Sequence, residues 1–118
     1  MNSVDIILPT YNCEKYIEET ISSIIMQSFE NWKLIIIDDA SNDSTLHLIE
    51  KYLNDERISL KKLKKNKGQG FCRNLALRYS RSKYVAFIDS DDIWKKDKLK
   101  KQIKFMDISN LDFTYTNF

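Results

Sequence analysis

Four short apolar runs, rich in β-branched residues, recur along the chain at residues 4–8, 32–37, 58–63 and 84–88. The second and fourth runs are apolar without alternation, which is typical of strands that are covered on both faces of a sheet. A further apolar patch at residues 111–115 predicts a fifth strand. The hydrophobic pattern therefore predicts a sheet whose strands are mostly buried.

Apolar residues recur at spacings of three and four between these runs, and they predict helices near residues 14–28, 43–54, 69–80 and 95–107. Strands that alternate with helices predict a doubly wound α/β fold, with a mostly parallel sheet and helices on both faces. At this length, residues 1–118 form one domain. Ligands of such folds bind beyond the carboxyl ends of the strands, where the strand order reverses.

Polar and acidic residues follow three of the predicted strands at the point where each strand ends. They are Pro9, Thr10, Tyr11 and Asn12 after the first strand, Asp38 and Asp39 after the second, and Asp89, Ser90, Asp91 and Asp92 after the fourth. Carboxylates two residues apart suit Mg²⁺ or Mn²⁺, whereas the only histidine, His47, lies far along the chain and argues against zinc. The alternative is that Asp91 or Asp92 caps the following helix.

The ends of the first and second predicted strands also offer groups that suit a nucleotide. Asp39 can accept a hydrogen bond from a base N–H, and Tyr11 offers an aromatic face, although packing explains Tyr11 equally well and Ser41 or Asp43 can cap the next helix. Arg73 lies one turn into the third predicted helix, where it could donate two hydrogen bonds to a phosphate. The preceding glycine-containing loop lacks the spacing of a P-loop.

Composition narrows the class of protein. Hydrophobic residues make up 42% and charged residues 31%, so the chain is globular and not disordered. A net charge of +2 gives no argument for nucleic-acid binding. The two cysteines have no metal-site or disulfide spacing, and no apolar run is long enough for a membrane span, so we expect a cytoplasmic protein.

The segments 4–12, 37–44, 66–74 and 87–92 together closely resemble family 2 glycosyltransferases of the GT-A fold, and the resemblance covers residues 4–105. It implies that Pro9, Thr10, Tyr11 and Asn12 line a nucleotide pocket. It further implies that Asp39 contacts the base, that Arg73 and Ser90 help to hold the nucleotide, that Asp89 lies near ribose and metal, and that Asp91 ligates Mn²⁺ or Mg²⁺. A UDP-sugar is the favoured donor because an Asp carboxylate can accept the imide proton of uracil, with dTDP- and GDP-sugars left open.

The reaction implied by the resemblance is inverting, metal-dependent transfer of a sugar to a glycan or lipid-linked acceptor in bacterial-type cell-surface polysaccharide synthesis. In that family the catalytic base lies on a later segment, so it is expected beyond Phe118 and no catalytic residue is assigned. The fold is expected to be cut after the fifth strand, which leaves a donor-binding part that is inactive alone. Such a part could pair with a second copy through its exposed sheet edge.

Two other classes compete with this interpretation. A receiver-type signalling domain would need an acidic pair after the first strand and an aspartate after the third, and neither is present. A non-catalytic module could bind nucleic acid or anionic lipid through the lysines of 61–67 and 95–104. No nucleic-acid partner is expected, whereas a peripheral contact with the inner face of the membrane is compatible with a glycosyltransferase.

Overall fold

A computed structural model describes residues 3–109, with side chains to residue 106. It contains four strands, β1 (Val4–Thr10), β2 (Trp32–Asp38), β3 (Ile58–Lys62) and β4 (Tyr84–Phe87). Four helices alternate with them, α1 (Ile17–Ile25), α2 (Thr45–Glu50), α3 (Gln69–Tyr79) and α4 (Lys98–Ser109). The predicted order of elements is confirmed. The fifth strand predicted at 111–115 lies outside the described residues.

The four strands form one parallel sheet in the order β3-β2-β1-β4. Val4 of β1 pairs with Trp32 of β2 on one side and with Tyr84 of β4 on the other. The chain moves outward from β1 to β3 and then crosses to the opposite side of β1. The strand order therefore reverses between β1 and β4, and the predicted doubly wound α/β fold is confirmed.

Alternate positions of the strands face two separate apolar layers. Ile6, Leu34 and Ile36 pack with α1, α2 and α4 in the larger cluster. Ile7, Ile35 and Ile37 pack with Cys72 and Ala76 of α3 in the smaller one. Because both faces are covered, a strand of uninterrupted isoleucines is favourable, which explains the pattern in the sequence.

The helices α1 and α2 are shorter than predicted, because turns take the place of their predicted ends. α1 begins at Ile17 because residues 13–16 form a turn, in which the amides of Tyr16 and Ile17 both donate to the carbonyl of Cys13 at 3.0 Å. α2 ends at Glu50 and is followed by turns that lead to Asp55. None of the described helices is both long and apolar enough to cross a membrane.

Candidate functional site

An open cleft of about 410 Å³ lies at the carboxyl ends of β1 and β4, where the strand order reverses. Its lining combines the loop after β1, the loop after β4 and the first turns of α3, namely Tyr11, Asn12, Cys13, Tyr16, Gln69, Arg73, Asp89, Ser90 and Asp91. This size falls within the range of small-molecule sites, and the position follows the rule for ligands of open α/β sheets.

One wall of the cleft is made rigid by side chains that bond to backbone. Asn12 has φ +46°, a left-handed conformation that asparagine tolerates better than most residues. Its amide donates to Oγ of Ser41 at 2.9 Å, and its Oδ1 accepts from the amide of Asn42 at 2.9 Å. The loop after β1 is thereby fastened to the loop after β2. Beside it the Tyr11 side chain is 49% exposed, so its ring is accessible.

The opposite wall is an ion pair that joins α3 to the loop after β4. Nη2 of Arg73 donates to Oδ1 of Asp89 at 3.0 Å, and Nε2 of Gln69 donates to the same oxygen at 3.2 Å. The sequence prediction included Arg73 and Asp89 but missed Gln69. The available signal was the four-residue spacing, which places Gln69 and Arg73 on one face of α3.

Asp91 and Asp92 follow Asp89 in a tight turn. Asp91 is exposed, whereas the Asp92 carboxylate turns back and accepts from the amide of Asp89 at 3.2 Å. Burial, together with the neighbouring charges of Asp89 and Asp91, raises the pKa of Asp92 although that hydrogen bond opposes the shift. The turn therefore concentrates negative charge at the mouth of the cleft, and the Asp92 carboxylate supports the loop through its bond to the amide of Asp89.

The side chains at the cleft can be compared with the ligands that the predicted Mg²⁺ or Mn²⁺ ion would need. Within residues 3–109 no three His, Cys, Asp or Glu side chains converge to hold an ion. Asp89 and Asp91 supply two carboxylates at the cleft, which suits Mg²⁺ or Mn²⁺ because these ions commonly use one or two protein carboxylates and complete their shells with phosphate and water. The chemistry of the residues fits a hard divalent ion bound together with a phosphorylated ligand.

Asp39 lies beside the cleft and does not line it. The side chain is 4% exposed, and its two oxygens accept from the amides of Lys67 at 2.6 Å and Gly68 at 2.9 Å. Gly68 has φ +93°, a conformation that favours glycine. Asp39 therefore fastens the loop that leads into α3, and its predicted contact with a base stays a prediction.

Pro9 and Thr10 are the other predicted site residues that do not line the cleft. Both belong to β1 and are buried. Oγ1 of Thr10 donates to Oδ1 of Asp38 at 2.7 Å, and Asp38 also accepts from the amide and hydroxyl of Ser41. The remaining predicted residues, Tyr11, Asn12, Arg73, Asp89, Ser90 and Asp91, are brought together at the cleft.

Buried polar residues on α1 and just after its end hold the acidic loop, and the sequence did not predict this role for them. Oγ1 of Thr20 donates to the carbonyl of Ser90 at 2.9 Å, and Oγ of Ser23 accepts from the amide of Trp94 at 3.1 Å. Gln27 donates to the carbonyl of residue 95 at 2.7 Å and accepts from the amide of residue 99 at 3.0 Å. The available signal was polar residues at spacings of three and four beside the isoleucine stripe.

The two cysteines near this region do not supply a nucleophile. Burial, reinforced by the charges of Asp39 and Asp38, raises the pKa of Cys72 to about 11. Burial also raises the pKa of Cys13, which lines the cleft. Since the thiolate is the reactive form, both side chains remain unreactive near neutral pH. The charged and aromatic groups at the cleft are therefore two carboxylates, one guanidinium and the rings of Tyr11 and Tyr16.

A cleft at the topological switch point, lined by two carboxylates and by an arginine that pairs with one of them, is typical of the ligand sites of open, doubly wound α/β folds. The chain belongs to glycosyl transferase family 2, whose family model matches residues 5–118. The predicted family is thus confirmed, and the receiver-type alternative is excluded.

Individual relatives agree with this family. UDP-Glc:alpha-D-GlcNAc-diphosphoundecaprenol beta-1,3-glucosyltransferase WfgD of Escherichia coli is 42% identical over 115 residues, which are 98% of this chain and 45% of WfgD. Staphylococcus aureus TarS in complex with UDP superposes with a TM-score of 0.85 at 38% identity, covering 92% of this chain and 33% of TarS.

A mannosyltransferase from Pyrobaculum calidifontis, PcManGT, in complex with GDP-Man and Mn²⁺ superposes with a TM-score of 0.82 at 28% identity. That match covers 87% of this chain and 32% of PcManGT. The chain therefore spans less than half the length of these relatives, and the GT-A type of fold is confirmed.

Proposed function

We propose that the protein to which this chain belongs transfers a sugar, with inversion, from a nucleotide-diphosphate sugar to a glycan or lipid-linked acceptor in cell-surface polysaccharide synthesis. The observation that carries the proposal is the convergence of Tyr11, Arg73, Asp89 and Asp91 on the switch-point cleft. The acceptor class is supported by the lipid diphosphate in the name of WfgD.

The donor is proposed to be a UDP-sugar. TarS has been crystallised with UDP, and WfgD is named for UDP-Glc. The exposed ring of Tyr11 can stack on a base, and Arg73 can donate to the diphosphate oxygens. Asp39 is proposed to select a base that carries an imide N–H, which uracil has and cytosine lacks. Guanine offers a comparable donor, and PcManGT binds GDP-Man.

Asp89 and Asp91 are proposed to hold Mn²⁺ or Mg²⁺. A bound divalent ion would neutralise the charge that develops on the departing diphosphate. Nη2 of Arg73 lies 3.0 Å from Oδ1 of Asp89. The guanidinium would therefore add a second positive charge beside the diphosphate oxygens. The side chain that deprotonates the acceptor is proposed to lie beyond Phe118.

The location is proposed to be cytoplasmic, with the protein working at the inner face of the membrane. A homodimer through the sheet edge was predicted from residues 111–115, which lie outside the described part of the chain. That pairing stays a prediction.

The proposal is tested by calorimetry with UDP, GDP, dTDP and CDP, each with and without Mn²⁺ or Mg²⁺. We expect UDP to bind more tightly with metal, and CDP to bind about 10- to 100-fold more weakly because one hydrogen bond to a charged group is lost. Equal affinity for CDP would remove the role of Asp39 in base selection. Failure of every nucleotide to bind would overturn the donor site itself.

The variant Asp91→Asn tests the metal assignment, because it keeps the shape and removes the charge. It should abolish the metal-dependent gain in UDP affinity and leave metal-free binding intact. Asp97→Asn is the matched control, since Asp97 is an exposed carboxylate that accepts from Ser28 and does not line the cleft. If both variants keep the full metal effect, Asp91 is not a ligand.

A further inference from the structure

The positive charge of this chain is concentrated in one continuous segment. Residues 57–88 contain ten Lys or Arg and no Asp or Glu, although the whole chain carries a net charge of only +2. The segment runs from β3 through α3 to β4. Its charge is therefore balanced by acidic residues that lie in other parts of the fold.

Six of these cations are exposed and have neither an ion pair nor a side-chain hydrogen bond among residues 3–109, whereas Lys83 lies 5.0 Å from the ring centre of Tyr84. Arg57 pairs with Asp55, Arg73 pairs with Asp89, and Arg81 donates to the carbonyls of residues 78 and 80. The exposed cations are Lys61, Lys62, Lys64, Lys65, Lys67 and Arg78.

Aromatic rings lie among these lysines. Nζ of Lys61 is 6.0 Å from the ring centre of Tyr79, and Nζ of Lys67 is 5.8 Å from that of Phe71. Both rings are about half exposed, at 50% and 46%. We call this area the α3–β3 surface and define it by Lys61, Lys64, Lys65, Lys67, Phe71 and Tyr79.

We propose that the α3–β3 surface is a peripheral binding surface for anionic phospholipid. Lysine ammonium groups attract lipid phosphates, and exposed aromatic side chains are favoured at the boundary between headgroups and acyl chains. Lysine is a point charge without the planar fork that arginine presents to nucleic-acid phosphates, and five of the six exposed cations are lysines. The inference deepens the proposed location and does not depend on sugar transfer.

The surface adjoins the cleft. The amides of Lys67 and Gly68 are fixed by Asp39, and α3 begins at Gln69, which lines the cleft. A lipid surface bound here would therefore lie next to the entrance of the site. The lysines of α4 form a separate group, because α4 packs on the other face of the sheet. A flat membrane cannot contact both groups at once.

The test is co-sedimentation of the chain with mixed phosphatidylcholine–phosphatidylglycerol vesicles and with pure phosphatidylcholine vesicles. The variant Lys61→Glu/Lys64→Glu/Lys65→Glu removes charge from the α3–β3 surface. Lys100→Glu/Lys101→Glu/Lys104→Glu, at exposed positions of α4, changes the net charge equally and is the matched control. UDP affinity and the thermal unfolding midpoint verify that both variants keep the fold and the cleft.

We expect binding to the anionic vesicles that weakens with salt, and no binding to the neutral vesicles. The α3–β3 variant should bind at least about 100-fold more weakly, from about fivefold for each of three charges, while the α4 variant should bind nearly as well as the original chain. Equal loss in both variants would show that only net charge matters, and would overturn the inference. Absence of vesicle binding, or tighter binding to RNA lost in the same variant, would also overturn it.

Discussion

The carboxylate of Asp39 makes a structural prediction that can be separated from any role in base selection. It is buried, and each oxygen accepts one backbone amide, from Lys67 at 2.6 Å and from Gly68 at 2.9 Å. In Asp39→Asn the amide group can accept only through its oxygen, so its NH₂ must face one of the two N–H groups. The substitution should therefore weaken the loop before α3 even without nucleotide.

The expected cost follows from these two bonds. A hydrogen bond to a charged group contributes about 1.5–3 kcal/mol, and a buried donor left unsatisfied costs a further 1–3 kcal/mol or so. Asparagine keeps one bond in neutral form, and the loop can relax toward solvent. We expect a loss of about 2–4 kcal/mol, which for a chain of this length lowers the unfolding midpoint by roughly 10 °C.

Urea unfolding followed by tryptophan fluorescence measures this loss, because Trp32 and Trp94 are both buried reporters. Asp91→Asn is the control: Asp91 is exposed and accepts no hydrogen bond from the described residues. The Asp91→Asn substitution should change the free energy of unfolding by less than about 0.5 kcal/mol. If Asp39→Asn is as stable as this control, the carboxylate does not hold the loop and the reasoning is refuted.

Two further predictions concern Arg73 and Asp5. Arg73→Lys should keep the fold but weaken UDP binding about tenfold, because lysine cannot make the planar two-bond contact; unchanged calorimetric affinity would contradict a phosphate contact. Burial raises the pKa of Asp5, but hydrogen bonds from the hydroxyls of Ser80 and Ser82 and the amides of residues 81–82 outweigh it, so this pKa is lowered. The stabilisation is present above the unfolded pKa, about 3.9, and is lost as pH falls through the lower folded pKa. Asp5→Asn should therefore be less stable at pH 7 and lose less between pH 5 and 2, whereas parallel pH–stability curves would show that Asp5 does not contribute.

The fold was predictable because its strands are defined by local apolar runs. The uninterrupted run from Leu34 to Ile37 predicts a strand covered on both faces, and the structure packs alternate members of it against different helices. The helix ends were less predictable because distant residues determine them. Tyr16 and Ile17 donate to Cys13, whose own amide donates to Thr45 of the second helix at 2.9 Å. The sequence pattern within residues 14–28 gives no indication of the contact between Cys13 and Thr45.

The candidate site was predictable to the extent that it consists of residues at strand ends. Parallel strands bring their carboxyl ends to one edge, so Tyr11 and Asp89 meet although they lie far apart in sequence. The strand order determines which of these strand-end residues line the cleft. Asp39 follows β2, one strand away from the reversal between β1 and β4, and it therefore lies beside the cleft. Gln69 was missed because its role depends on Asp89, with which it has no local relation.

The position of the acidic loop depends on a helix near the start of the chain. Thr20 is 70 residues from Ser90 in sequence, yet its hydroxyl holds the carbonyl between Asp89 and Asp91. Ser23 and Gln27 add further bonds to residues 94, 95 and 99. These polar side chains are buried in an otherwise apolar interface, where such bonds are costly to leave unmade. Their presence on α1 and directly after it is therefore explained by the geometry they impose on the two carboxylates.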